Sequence, residues 1–236
     1  MVRTTKRGGP GGGSRKLTVR VKTAKGRKLA STRWLQRQLN DPYVEEAKRQ
    51  GYRSRAAFKL TEIDDKHHLL KRGMTVIDLG AAPGGWSQVA AARVGAAEEK
   101  GRVIAADLND IEPIPGVEFL RLDMSDPDAG AAIRAALGGA QADVVLSDMA
   151  APATGHRQTD HLRVVALAEA ALDIAEDVLK PGGAFLAKVL QGGADHDLLA
   201  RLRQGFAKVA HIKPKASRQD SAEVYVLATG FRGVAR

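Results

Sequence analysis

The sequence predicts an α/β fold, a doubly wound and mostly parallel seven-stranded sheet with an antiparallel last strand. Three observations carry that reading. From Met74 onward short apolar runs alternate with stretches of helical character, the pattern of right-handed strand–helix–strand crossovers. The first of those runs ends in Asp78 and a Gly-rich turn, Gly80-Ala-Ala-Pro83-Gly84-Gly85-Trp86, which is how a parallel sheet delivers a strand to a ligand. The last two runs are separated only by residues 214–221, too few for a helical crossover, so that pair is expected to be antiparallel.

Taken in order, strands are expected at 74–79, 102–107, 117–122, 142–147, 183–189, 207–213 and 223–229, with helices at about 86–95, 127–137, 159–179 and 195–205. Three short helices precede the sheet. Ser31-Thr32 can cap one through Leu39, Asp41-Pro42 is a cap and first-turn proline for a second through Gln50, and Ser54 caps a third to about His67. They carry Arg49, Arg53, Arg55 and Lys59 beside Tyr43, Tyr52 and Phe58. Such a mixture suits one wall of an RNA groove, and equally the solvated face of a helical cap.

Composition limits the function. The chain of 236 residues is 44% hydrophobic, enough for one α/β domain with appendages. With no cysteine, disulfides, thiolate metal sites and thiol nucleophiles are excluded, and a reducing cytosol fits. No apolar run reaches membrane-spanning length, and the basic N-terminus leads into glycines instead of an apolar signal segment. A soluble, unsecreted, cytoplasmic protein is expected, bound to no membrane. Its six histidines do not cluster at ligand spacing, so no metal site is expected.

The net charge of +10 is unevenly spread. Residues 1–40 hold twelve Lys and Arg and no acid, leaving 25 basic residues against 27 acidic ones in 41–236. A basic, Gly-rich, aromatic-poor segment cannot bury enough surface to fold. Residues 1–28 are therefore expected to be a disordered tail that neutralises phosphates, with a folded domain over 29–236. A solubility tail or an organelle-targeting segment is the alternative.

Ligands of doubly wound sheets bind at the carboxyl ends of the strands. There the sequence places Asp78 and its loop, then Asp107, suited to two ribose hydroxyls, and Asp123, able to face an adenine amino group. The fourth and fifth strands end at Asp148 and Lys188. One acid at a strand end is commonly a helix cap; four charged residues around one Gly-rich loop point to a site. Lys188 lies in a near-continuous apolar run, and lysine is almost never buried without a partner. Three glycines and a proline in six positions let backbone approach a ligand closely. Ala82 occupies the second glycine position of the dinucleotide fingerprint, which weakens a nicotinamide cofactor.

Asp78-Leu-Gly80-Ala-Ala-Pro83-Gly84-Gly85-Trp86 resembles the S-adenosylmethionine loop of the Rossmann-like class I methyltransferases. Its Pro-Gly-Gly-Trp ending resembles the FtsJ/RlmE family of RNA 2′-O-methyltransferases. Ser54-Arg-Ala-Ala-Phe-Lys59-Leu, Ser147-Asp148-Met-Ala, Ala187-Lys188-Val-Leu-Gln-Gly192 and Glu223-Val-Tyr-Val look like the four segments carrying that family's Lys-Asp-Lys-Glu tetrad. The resemblance runs from about Ser31 to Gly230 and leaves the basic tail outside.

It implies a catalytic tetrad of Lys59, Asp148, Lys188 and Glu223. It also implies S-adenosyl-L-methionine held by Asp78, Gly80, Pro83, Gly84, Gly85, Trp86, Asp107, Asp123 and Asp148. The implied substrate is a uridine 2′-hydroxyl in the A loop of 23S ribosomal RNA, on the large ribosomal subunit, and a monomer is expected. In such a transfer a weak nucleophile must lose its proton to a nearby base. A lysine can serve where burial and a second ammonium favour its neutral form. Lys188 is the expected base, Lys59 the second cation, Asp148 the group that orients Lys188, and Glu223 an orienter of a lysine or of the hydroxyl.

Two positions depart from the family. Ala151 shifts the proline that often follows Asp-Met-Ala, and Ala222 replaces the arginine that often precedes the glutamate. A tRNA or mRNA-cap 2′-O-methyltransferase, or a non-enzymatic ribosome-assembly RNA-binding factor, is the alternative. Covalent methylation at pyrimidine carbon 5 is excluded by the missing cysteine. Adenine amino-methylation is disfavoured because Ser147-Asp148-Met149-Ala150 is not a Pro-Pro-aromatic turn.

Overall fold

A computed structural model describes residues 29–152, 154–191 and 196–233. The expected tail at 1–28 lies outside the described residues. The described residues divide into two compact units, with the boundary between Glu45 and Glu46. Helix α1 (Leu29–Leu39) lies in the first, and α2 (Pro42–Gln50) runs from the first into the second. Ser31 and Thr32 are not the cap of α1: Leu29 and Ala30, strong helix formers, carry the helix two residues further back. Asp41 does cap α2, its Oδ1 accepting the Tyr43 N–H at 3.0 Å.

In the second unit α3 (Ala57–His67) precedes an alternating series: β1 (Thr75–Leu79), α4 (Gly85–Val94), β2 (Arg102–Asp107), β3 (Val117–Arg121), α5 (Ala129–Leu137) and β4 (Ala142–Ser147). It continues with α6 (Arg157–Val178), β5 (Leu179–Leu190), α7 (His196–Gly205), β6 (Phe206–Ile212) and β7 (Glu223–Phe231). Ser54 does not cap α3 with its side chain. The Ala57 N–H takes the Ser54 carbonyl at 3.3 Å, while Oγ is buried against the loop glycine Gly85. The fifth strand, expected at 183–189, starts earlier, at Leu179, and its pairing with β4 shifts register between Ala142 and Val144.

The seven strands lie in the order β3-β2-β1-β4-β5-β7-β6. Neighbours from β3 through β5 are parallel, and β7 is inserted antiparallel to both β5 and β6. Alternate residues of each central strand serve two cores. Ile77, Leu79, Ile104, Val145, Phe185, Ala187 and Val226 pack with α5, α6 and α7; Val76, Val103, Leu146, Leu186, Tyr225 and Leu227 pack with α3 and α4. Nearly all of these are fully buried, as a parallel sheet covered on both faces requires.

The reversed direction of β7 matters for function. Its first residue, Glu223, pairs with Leu190 at the carboxyl end of β5, so the start of one strand reaches the same edge as the ends of β1, β2, β4 and β5. No helix among the described residues is long and apolar enough to cross a membrane.

Candidate active site

The loop between β1 and α4 is shaped by contacts that only glycine permits. Gly80 has φ +75°, and a Cβ there would stand 2.5 Å from Met149 Cγ. At Gly84, with φ +109°, a Cβ would meet an Arg53 guanidinium nitrogen at 2.8 Å. Arg53 ties this loop down: its guanidinium donates to the carbonyls of Pro83, Glu112 and Pro113, and its N–H to Gln88 Oε1 at 2.9 Å. Arg55 likewise donates to the Ala216 carbonyl. Both side chains are thus engaged in holding loops.

The Trp86 side chain points inward. Its indole N–H donates to the Ala56 carbonyl at 2.8 Å and its ring packs 5.5 Å from Tyr225, so any contact with a ligand in the loop falls to its backbone. Pro83 is exposed at the tip of the loop. Asp78, on the α3/α4 side of β1, is fully buried; Oδ2 accepts the Ser87 hydroxyl at 2.6 Å, and Oδ1 is buried with no partner among the described residues. Burial pushes its carboxyl up to about 7, with Asp148 and Asp107 adding to the rise and the Ser87 bond opposing it.

Asp107, at the end of β2, has one oxygen on the Ala82 N–H at 3.0 Å and the other on the Asn109 N–H at 2.8 Å, bridging the Gly-rich loop and the turn after β2. Asp123 is exposed beyond β3; the Ser125 hydroxyl and N–H both go to its Oδ1 and hold its carboxyl below the usual range. These two acids line adjacent strand ends and do not join the lysine cluster.

The other four predicted residues meet. Lys188 Nζ donates to the Asp148 carbonyl at 2.8 Å and lies 3.2 Å from Asp148 Oδ1. Lys59 Nζ reaches Glu223 Oε1 at 2.5 Å and Asp148 Oδ2 at 3.9 Å. Burial alone would raise the Asp148 carboxyl, but Lys188, Lys59 and the Tyr225 hydroxyl outweigh it and hold it below the usual range. Both lysines are less than one-tenth exposed, so two ammonium groups and two carboxylates share a nearly dry space.

Two members of this cluster escaped the sequence reading. The Tyr225 hydroxyl donates to Asp148 Oδ1 at 2.8 Å or to Glu223 Oε1 at 3.2 Å, and Lys59 sits 5.6 Å over its ring. Burial first, then the two carboxylates, raise its phenol well above the ordinary value. Period two along β7 would have placed it beside Glu223 on one face. Ser217, whose hydroxyl donates to Glu223 Oε1 at 3.0 Å, gave no such signal, because it lies in the irregular loop between β6 and β7.

In chemical terms the site offers a lysine amine fixed by one carboxylate, a second cation beside it, and a Gly-lined loop flanked by acids. That set suits proton removal from a hydroxyl next to a positively charged donor.

Comparison with known proteins agrees with the geometry. Residues 52–231 match the model of the FtsJ-like methyltransferases. The Ribosomal RNA large subunit methyltransferase E of Xanthobacter autotrophicus is 62% identical over 232 residues, covering 98% of this chain and 90% of that protein. The protein of the same name from Bradyrhizobium diazoefficiens is 65% identical over 221 residues, covering 94% of this chain and 96% of that one. A crystal structure of a ribosomal RNA methyltransferase from Plasmodium falciparum superposes with a TM-score of 0.69 at 30% identity, covering 78% of this chain and all of that one. On sequence and on fold together, this chain belongs to the FtsJ-like methyltransferase family.

Proposed function

We propose that the protein transfers a methyl group from S-adenosyl-L-methionine to the ribose 2′-hydroxyl of a uridine in 23S ribosomal RNA, in the A loop of the large subunit. The meeting of Lys59, Asp148, Lys188 and Glu223, drawn from four separate parts of the chain, is the observation that carries this reading. The names of the Xanthobacter and Bradyrhizobium relatives support the substrate. The protein is proposed to act in the cytoplasm as a monomer, with the basic segment 1–28 on RNA phosphates.

The residues present fit that donor. A molecule with a sulfonium, an ammonium and ribose hydroxyls needs carboxylates and close backbone, and Asp107, Asp123 and Asp148 with Gly80, Gly84 and Gly85 supply both. When bound it supplies an electrophilic methyl group. Asp78 braces the loop from beneath through Ser87, and Trp86 contributes backbone.

Lys188 Nζ takes the proton of the 2′-hydroxyl, its position fixed by the Asp148 carbonyl and Oδ1. Lys59 holds a second positive charge against Glu223 and Asp148, placed to stabilise a negative ribose oxygen. Glu223 anchors Lys59 and receives the sugar. Holding oxygen and methyl carbon at near-attack distance contributes more than the proton transfer.

The test is methylation of large subunits from cells lacking the protein, with the modified nucleotide mapped. Lys188→Met is expected to lower the rate ~10²–10⁴-fold, the contribution of a positioned base, while donor binding by calorimetry persists. Near-normal methylation by Lys188→Met with loss in Asp148→Ala would overturn the base assignment. RNA binding without donor affinity would favour an assembly factor.

A further inference from the structure

We infer that Ser217 is a positioning residue for the methyl transfer: it pins one oxygen of Glu223 so that the other is presented to the substrate. The inference rests on the proposed reaction and extends it to the β6–β7 loop. Three donors converge on Glu223 Oε1, namely Lys59 Nζ at 2.5 Å, the Ser217 hydroxyl at 3.0 Å and the Tyr225 hydroxyl at 3.2 Å. Oε2 takes none of them. Each carboxylate oxygen has about two lone-pair sites, so with Lys59 and Ser217 on it Oε1 has little capacity left, and its twin is the acceptor for an incoming hydroxyl.

Tyr225 cannot be the steady anchor. It has one proton, and its shorter bond goes to Asp148 at 2.8 Å. Lys59 Nζ is shared with a second carboxylate, facing Asp148 Oδ2 at 3.9 Å. Ser217 has no competing acceptor in the cluster, and its side chain is short.

Its backbone is held from both sides. The preceding residue, Ala216, gives its N–H to Glu62 Oε2 at 3.1 Å, and its carbonyl accepts from the Arg55 guanidinium. Glu62 lies three residues beyond Lys59 on α3, so one helix face both delivers Lys59 to Glu223 and fixes the loop that delivers Ser217. Ala216 and Ser217 are buried although Lys213, Lys215, Gln219 and Asp220 around them are exposed. The loop thereby seats the Ser217 hydroxyl, a buried polar group, against Glu223.

The experiment is steady-state methylation of large subunits by the full chain carrying Ser217→Ala, Glu223→Ala or both, with donor binding followed by calorimetry. Ser217→Ala is expected to lower kcat about 10- to 100-fold, the scale of a lost hydrogen bond to a charged group, with KM for the donor and its calorimetric Kd unchanged. In the Glu223→Ala background the same change is expected to cost nothing further, because its only target is gone. A kcat within twofold of the parent, a matching loss of donor affinity, or additive losses in the double variant would each overturn the role. If the intact protein failed to methylate large subunits, the assigned reaction would fall and the role with it. An active parent with a silent Ser217→Ala would remove the role alone.

Discussion

Replacing Asp78 with asparagine is expected to change how stability depends on pH. The carboxyl is fully buried, one oxygen bonded to Ser87 and the other without a partner among the described residues, with Asp107 and Asp148 near enough to oppose its charge. Its value rises from 3.8 to about 7 on folding. Because the folded chain then holds a proton that the unfolded chain has released, stability falls as pH climbs from about 4, and the loss is complete above about 7. At 1.36 kcal/mol per pH unit the rise corresponds to roughly 4 kcal/mol. Asparagine keeps an acceptor for Ser87 and cannot ionise. Urea unfolding of both proteins from about pH 4 to about pH 8 should therefore show the variant gaining roughly 4 kcal/mol on the parent. Titrating groups remote from Asp78 cancel in that difference. Two curves that ran parallel across the range would refute a buried, partly unsatisfied carboxyl under the loop.

The loop itself yields two further expectations. Gly80→Ala places a Cβ 2.5 Å from Met149 Cγ and 3.0 Å from its Cα at φ +75°. A cost of ~2–4 kcal/mol, from left-handed strain and overpacking together, should appear in denaturant melts, and a loss below about 1 kcal/mol would contradict the close approach. Arg53→Ala releases the carbonyls of Pro83, Glu112 and Pro113. Donor Kd should rise about tenfold, near 1.4 kcal/mol, with little change in kcat at saturating donor; an unchanged Kd in calorimetry would show that the loop keeps its shape without the clamp.

Much of the fold was legible in the chain. The alternation of strand and helix predicted β2 and β4 to the residue, and the short segment 214–221 predicted the antiparallel pairing of β7 with β6. These are local properties, set by period and by the length of a connection. The helix starts were less legible: Ser31, Thr32 and Ser54 are good caps by type, yet neighbouring residues and the packing of Ser54 on Gly85 decided otherwise. Capping preference is worth about 1 kcal/mol and is readily overridden.

The site divides in the same way. Residue type and strand-end position singled out Asp148 and Lys188, since charged groups at the end of an apolar strand need a reason to be there, while Lys59, on a helix, and Glu223, at a strand start, were singled out by the resemblance alone. Tertiary structure alone decided that the Trp86 ring faces inward, that Arg53 and Arg55 hold loops, that Asp78 is sealed beneath the turn, and that Tyr225 and Ser217 meet the carboxylates. Each of those contacts joins residues whose partners are fixed by the sheet order and by the direction in which β7 runs. A pattern of period two or 3.6 says which face a side chain occupies; only the assembled layers say what stands opposite it.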